Sequence, residues 1–221
     1  MPRLATAQHN QHPNHCERYH YSDGNDGHHV FATTYDMRIA VYGTTHSGRK
    51  ELVDNLVAMF PDSKVDVIHV NDLRNDYHLH CPWCGFDTEV EPWNEDKFHG
   101  IVLDHVSECE DGGVDVVIIE GEAMRPLTTA EWLEPDVQVL MARTDVSPEE
   151  MLAEARKTDD ASIYTSAKAD TYLLRYFATQ QSIASKWIGE CQGSTDIIIA
   201  DAHDISDSVK AATEAVASVI A

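Results

Sequence analysis

Basic side chains are scarce in this sequence of 221 residues, where 16 lysines and arginines stand against 38 aspartates and glutamates. The resulting formal net charge of −22 repels phosphate backbones, which argues against a protein that binds nucleic acid. Because the acidic residues are spread along the chain, we interpret them as adaptation of the whole surface to a salt-rich cytoplasm, where ions screen the self-repulsion. An ordinary acidic protein is the alternative interpretation.

Long apolar runs are also missing. No stretch approaches the roughly 20 residues that span a bilayer, and the first residues lack the pattern of a signal peptide, so we expect a cytoplasmic protein without membrane contact. Five cysteines at irregular spacing are too few for a disulfide scaffold at this length, which leaves reduced thiols or a metal site. A hydrophobic content of 43% is sufficient for a substantial core.

The chain divides into two parts of different composition. Residues 1–36 contain six histidines together with Asn, Asp and Gly, and we predict that they form a flexible leader. Residues 37–221 show alternating strand and helix patterns. Strands are predicted at residues 37–42, 65–70, 114–119, 137–141 and 196–200, and helices at 49–60, 96–109, from 148 onward, at 169–188 and up to 219. This order predicts an α/β fold with a five-stranded, mostly parallel sheet covered on both faces.

A glycine-rich loop follows the first predicted strand and leads directly into a helix. It comprises Gly43, Thr44, Thr45, His46, Ser47, Gly48, Arg49 and Lys50. The glycines let the backbone curl so that its N–H groups face an anion, while the helix N terminus and a cation add positive charge. Arg49 stands where the phosphate-loop consensus has lysine, and Lys50 where it has a hydroxyl for magnesium. We predict a phosphate-binding loop; a plain strand-to-helix turn is the alternative.

A carboxylate ends the most strand-like run of the chain. The predicted strand at residues 114–119 runs into Glu120 and Gly121. In open α/β sheets ligands bind at the carboxyl ends of the strands, which places Glu120 beside the phosphate loop. There the carboxylate could hold Mg²⁺ or its water shell, since Mg²⁺ prefers oxygen ligands. A capping glutamate at a strand end is the structural alternative.

Five segments together resemble one family. In chain order they are GTTHSGRKELVDNL, HVNDLRNDY, EPWNEDKF, DVVIIEG, and YLLRYFATQQ followed by TDIIIAD. They are similar to segments of the P-loop nucleoside kinases, in particular uridine kinase and nicotinamide riboside kinase, over roughly residues 37–205. The resemblance implies the three-layer sandwich of P-loop NTPases. It also implies a kinase that transfers a phosphoryl group from ATP or GTP, with Mg²⁺, to a nucleoside-like small molecule.

The resemblance also implies roles for individual residues. Asp72 would accept the proton of the substrate hydroxyl, with Asp76 as the rival, and Glu120 would lie near the metal. Arg156 would stabilise the transferring phosphoryl group, in keeping with a reaction that depends on positioning and charge neutralisation. Residues 157–170 would form the lid, and they contain two lysines and no arginine.

Two alternative functions remain open. Ala142-Arg143-Thr144-Asp145 resembles a weakened guanine motif, and Thr165-Ser166-Ala167-Lys168 resembles the second guanine loop of GTPases, in particular the metallochaperones that insert nickel or cobalt. A GTPase would need only one last helix after that loop, whereas this chain continues with a helix and a further strand, which favours the kinase. The changed Arg49-Lys50 pair keeps open a third possibility, a nucleotide- or zinc-binding regulator without turnover.

A zinc site is predicted from the run HLHCPWCG. Cys81 and Cys84 lie in a tight CPxCG turn whose thiolates converge on one metal, and tetrahedral Zn²⁺ suits that arrangement. We interpret residues 72–92 as a zinc-knuckle insertion. Two further ligands are required, and Cys16 with His20 are our first choice. The alternatives are His12, His15, His78, His80 and the pair His105 and Cys109, which lie four residues apart on one predicted helix face.

Overall fold

A five-stranded parallel sheet forms the centre of the molecule. The computed structural model describes residues 37–44, 46–75, 95–122, 124–158, 167–201 and 203–221. Its strands are β1 (Met37–Gly43), β2 (Val65–His69), β3 (Val116–Gly121), β4 (Val137–Ala142) and β5 (Ile197–Asp201). They are hydrogen-bonded in the order β2-β3-β1-β4-β5, and every neighbouring pair is parallel. The predicted α/β class with a five-stranded sheet is confirmed.

The described part of the chain contains seven helices. They are α1 (Arg49–Ala58), α2 (Val70–Asn75), α3 (Glu95–Asp111), α4 (Pro126–Leu133), α5 (Pro148–Thr158), α6 (Ala167–Cys191) and α7 (Ile205–Ile220). None of these helices combines the length and the apolar character needed to cross a membrane.

The strands place alternate side chains on the two faces of the sheet. Ile39 and Val41 of β1 pack on one face against α1 and α7, in a core that includes Leu52 and Val209. Ala40 and Tyr42 point to the other face, where α3, α4 and α6 cover them. Strands β3 and β4 are buried along their whole length. This is expected of central strands in a parallel sheet, which helices cover on both faces and whose sequences are mostly apolar. The result is a helix–sheet–helix arrangement of three layers.

The boundaries differ from the sequence prediction in two places that matter for the site. Strand β3 begins at Val116, later than the predicted start at residue 114, and ends with Glu120 and Gly121. Val70 opens α2 and does not end β2. Of the predicted insertion at residues 72–92, residues 72–75 belong to α2, and residues 76–94 lie outside the described part of the chain.

Candidate functional site

The carboxyl ends of the strands meet at one edge of the sheet. Register pairs place Tyr42 of β1 beside Gly121 of β3, and Gly43 beside Met141 of β4. The chain leaves β1 for α1 on one face of the sheet and leaves the neighbouring strand β3 for α4 on the other face. Parallel sheets form a ligand crevice where neighbouring connections leave to opposite faces. The loop after β1 lies at that point.

Two glycines allow the loop to pack closely against its surroundings. A Cβ atom on Gly43 would lie 2.4 Å from the Met141 carbonyl oxygen and 2.8 Å from the Ser47 Oγ atom. Gly48 has a φ of 89°, and a Cβ atom there would lie 2.9 Å from methyl groups of Ile205 and Val209. The left-handed φ and the close approach both require glycine at position 48. Two of the residues that the sequence singled out thus shape a narrow turn.

The loop ends at the N terminus of α1. Gly48 is the N-cap residue of this ten-residue helix, and no side-chain cap hydrogen bond is made there. Ser47 is buried, and its Oγ atom has no hydrogen-bond partner among the described residues. Helix N termini carry unpaired N–H groups and a partial positive charge, and buried hydroxyl groups are normally paired. An anion at this position would satisfy these donors.

Arg49 turns inward and is surrounded by oxygen atoms. Its Nε atom donates to the Thr44 carbonyl oxygen at 3.3 Å, its Nη1 atom to Glu120 at 3.1 Å and its Nη2 atom to Glu122 at 2.8 Å. The side chain is buried, with only 5% of its surface exposed. Lys50, the next residue, is exposed. The two cations of the loop therefore occupy opposite environments, one neutralised inside and one at the surface.

Glu122 is the residue of this site that the sequence analysis missed. Its backbone N–H donates to Asn71 Oδ1 at 3.2 Å, and Tyr176 Oη on α6 donates to its carboxylate at 3.5 Å. Glu120 is buried and lies 3.8 Å from His69 Nδ1 at the end of β2. The sequence EGE places Glu122 two residues beyond Glu120, and that spacing was the available indication of a second carboxylate.

Helices α5 and α6 border the loop on another side. The ring of His46 lies 5.7 Å from that of Phe177, which is buried on α6 in a small core with Met151 and Leu152 of α5. His46 itself has a positive φ of 55°. Arg156 lies on α5 and is exposed. Thr45 lies outside the described residues. The same is true of the predicted lid residues 159–166, which lie between α5 and α6 in the sequence.

Asp72 lies in α2, which follows directly on the carboxyl end of β2. It is exposed in α2 and lines a groove of about 480 Å³ together with His69. This groove continues along β2 past Asp66 and Cys109. Glu120, whose carboxylate is buried, is not among the described residues that line it.

A larger cavity of about 850 Å³ lies between α1 and α7. Ile205 and Val209, the residues in close contact with Gly48, form part of its wall. The polar residues around it are mainly charged, and they include Glu51, Arg143, Glu154, His203, Lys210 and Glu214. The loop of residues 43–50 therefore borders a cavity large enough for a small organic ligand.

The residues of the weakened guanine motif make contacts of their own. Arg143 is buried and donates to Glu154 and to the His203 carbonyl oxygen, and Thr144 donates to Asp201. The hydrogen bonds from Arg143 lower the pKa of the Glu154 carboxyl group. These contacts connect the ends of β4 and β5 with α5. Asp145 is exposed, and Thr165 and Ser166 lie outside the described residues.

The predicted zinc ligands Cys81, Cys84, Cys16 and His20 all lie outside the described residues. Within the part of the chain that the structure describes, no three His, Cys, Asp or Glu side chains are grouped so that they could hold a metal ion. The Cys109 thiol donates to Asp66 at 3.3 Å. Burial, followed by this contact with Asp66, raises the pKa of Cys109 to about 11. Zinc binding at Cys81 and Cys84 stays a prediction, which metal analysis of the untagged protein tests.

Comparison with known proteins adds little to this geometry. No protein-family model matches the chain, and no curated protein matches it either. Among solved structures, it is similar to the crystal structure of APE1195, with 11% sequence identity and a TM-score of 0.47. That match covers 85% of this chain and 98% of the other.

Proposed function

We propose that this protein binds a nucleoside triphosphate at the loop of residues 43–50, in the manner of a P-loop protein. The observation that carries the proposal is the turn after β1, which two closely packed glycines shape and which ends at a helix N terminus without a side-chain cap. The buried, unpartnered hydroxyl of Ser47 in the described loop supports it. Backbone N–H groups of such a turn stabilise phosphate oxygens.

We further propose that the protein is a kinase acting on a nucleoside-like acceptor. The arrangement that favours a kinase over a GTPase is the continuation of the chain through α6 into β5, which pairs with β4 as a full fifth strand. We propose that the base and sugar of the triphosphate occupy the cavity between α1 and α7, which borders the loop. Asp72 would orient the acceptor hydroxyl, and Arg156 would neutralise charge on the phosphoryl group in transfer.

The residues beside the loop fit magnesium in their chemistry. Mg²⁺ prefers carboxylate oxygens and keeps several of its waters, and Glu120 and Glu122 supply two carboxylates next to Arg49. Ser47 adds a hydroxyl group without a partner among the described residues. When bound, the ion would neutralise charge on the phosphates. Within the chain, Arg49 neutralises the same two carboxylates.

A second candidate is a nucleotide-binding regulator without turnover. The observation that favours it is that Arg49 forms ion pairs with the protein's own carboxylates, Glu120 and Glu122. The guanidinium group of Arg49 is therefore already neutralised by the protein. Binding and transfer experiments separate the two candidates, because both proteins would bind the triphosphate and only the kinase would transfer its phosphoryl group.

Titration calorimetry with ATP and with GTP, in molar KCl with Mg²⁺, tests the binding. We expect Lys50→Ala to weaken binding by about tenfold, because a charge-assisted hydrogen bond to phosphate contributes roughly 1.5–3 kcal/mol. Lys64→Ala is the matched control, since Lys64 is an exposed lysine at the opposite edge of the sheet, next to Gly112. Wild-type protein that binds neither nucleotide at millimolar concentration would remove the proposal.

Transfer is tested by incubating nucleosides with the preferred triphosphate and measuring phosphorylated product. We expect Asp72→Asn to abolish transfer and to leave nucleotide binding nearly unchanged, since the carboxylate acts on the acceptor and not on the triphosphate. Asp62→Asn serves as the control, because Asp62 is an exposed aspartate in the turn after α1. Nucleotide binding without turnover of any nucleoside would favour the regulator.

A further inference from the structure

Arg49, the buried cation of the loop, is held in place by other groups of the protein. All three guanidinium nitrogens of Arg49 donate to protein oxygens, at the Thr44 carbonyl group, Glu120 and Glu122. We propose that Glu122 is a positioning residue that holds Arg49 in its inward orientation and releases it when phosphate enters the loop. This inference rests on the proposed function, because it concerns how the same loop accepts its anion.

The two carboxylates differ in how easily they can release the guanidinium. Glu120 has 2% of its side chain exposed, so its charge would be left in a dry interior without Arg49. Glu122 has 21% of its side chain exposed, and water can solvate it after release. The exchange of partners therefore occurs at the Nη2 atom, where Glu122 leaves and a phosphate oxygen enters, while the contact with Glu120 persists.

Helix α6 contacts both the loop and Glu122. Tyr176 donates its hydroxyl to the Glu122 carboxylate, and the neighbouring Phe177 contacts the ring of His46 in the loop. A small movement of α6 thus acts on Glu122 and on the loop together.

Binding of inorganic triphosphate without metal tests the inference directly. Glu122→Gln removes the competing charge and keeps the size of the side chain, so we expect the Kd for triphosphate to fall by about tenfold, equivalent to about 1.4 kcal/mol. A gain in affinity is diagnostic, because mere damage to the structure would weaken binding. Glu190→Gln is the matched control, since it removes one acidic charge from the exposed Arg125–Glu190 pair.

A double-mutant cycle shows whether the gain passes through Arg49. In an Arg49→Gln background, first checked for folding because Glu120 is then unpaired, the same Glu122→Gln change should give a clearly smaller gain, because only the direct repulsion between Glu122 and triphosphate is relieved once the cation is gone. Should Glu122→Gln fail to fold, Glu122→Asp serves in its place, since its carboxylate is one methylene group further from Arg49 and the same direction of change is expected.

Each outcome decides the inference. Affinity of Glu122→Gln that equals that of Glu190→Gln, or falls below it, would overturn the role of Glu122 and leave the proposed function intact. A gain that is equally large without Arg49 would also overturn it. Absence of triphosphate binding in the wild type and in every variant would overturn the nucleotide-binding function itself, and this inference with it.

Discussion

At the level of single residues, the main feature of this site is a pair of charged side chains that are buried. Arg49 and Glu120 form an ion pair in which both side chains are almost fully buried. Such a pair contributes little net stability relative to apolar residues, but removing one partner leaves an uncompensated charge. Arg49 consequently has a structural role as well as the proposed role in binding, and the two can be measured separately.

The structural role predicts a large loss of stability in Arg49→Ala. We expect the free energy of unfolding to fall by about 3–5 kcal/mol, because Glu120 then stays buried without its partner. Arg125→Ala is the comparison, and because its pair with Glu190 is half exposed we expect a loss of less than about 1 kcal/mol. Chemical denaturation in the same salt measures both values. Similar losses in the two variants would show that the Arg49–Glu120 pair is not buried as described.

Cys109 offers a prediction on pH. Its pKa is raised to about 11, first by burial and then by the contact with Asp66, so the thiol stays protonated at neutral pH. Alkylation at Cys109, resolved by mass spectrometry, should accelerate by about tenfold per pH unit and level off only near pH 11. Asp66→Asn should lower the thiol pKa and move the profile to lower pH, whereas Glu108→Gln should move it less. An unchanged profile in Asp66→Asn would contradict the contact.

Short and long helices of this chain differ in how they arise. Helix α5 begins with a capping box in which the Ser147 hydroxyl accepts from the Glu150 N–H group and Glu150 accepts from the Ser147 N–H group. That pattern is visible in the sequence. The two short helices α2 and α4 were not predicted, since six and eight residues are too few to show apolar periodicity. They form because the chain turns there against the sheet.

The loop and α7 meet at Gly48, which gives a prediction at the level of elements. Gly48→Ala should lower the free energy of unfolding by about 1–3 kcal/mol, because alanine is strained at a φ of 89° and its methyl group would contact Ile205 and Val209. Gly189→Ala is the control: Gly189 lies within α6 with open space around it, and we expect a gain of about 0.4–1 kcal/mol. Thermal unfolding of both variants checks the opposite signs. Equal effects would contradict the packing of α7 on the loop.

At the scale of the molecule, the sheet order brings distant segments to one edge. Its order, 2-3-1-4-5, differs from the 3-2-1-4-5-6 order of the dinucleotide-binding fold. Strand β1 lies at the centre between β3 and β4, so the loop that follows it is bordered by Glu120 on one side and by Met141 on the other. The whole candidate site depends on this arrangement.

The net charge of −22 predicts how stability depends on salt. The Debye length falls from about 10 Å at 0.1 M to about 3 Å at 1 M salt, so the repulsion between acidic side chains is screened. We therefore expect the Tm to rise between 0.1 M and 1 M KCl. Sorbitol at matched osmolality controls for effects other than screening. A Tm that is unchanged or lower in 1 M KCl would contradict adaptation to a salt-rich cytoplasm.

Local patterns in the sequence were enough to predict the class of fold and the position of the loop. Hydrophobic periodicity and glycine placement act over a few residues, and they were sufficient to predict all five strands, the long helices and the turn at residues 43–48. The contacts of Arg49 with Glu120 and Glu122 could not be predicted in this way, because these residues lie more than 70 positions apart and come together through the pairing of β1 with β3. Ion pairs between distant segments leave no local pattern, since their geometry depends on the register of the whole sheet.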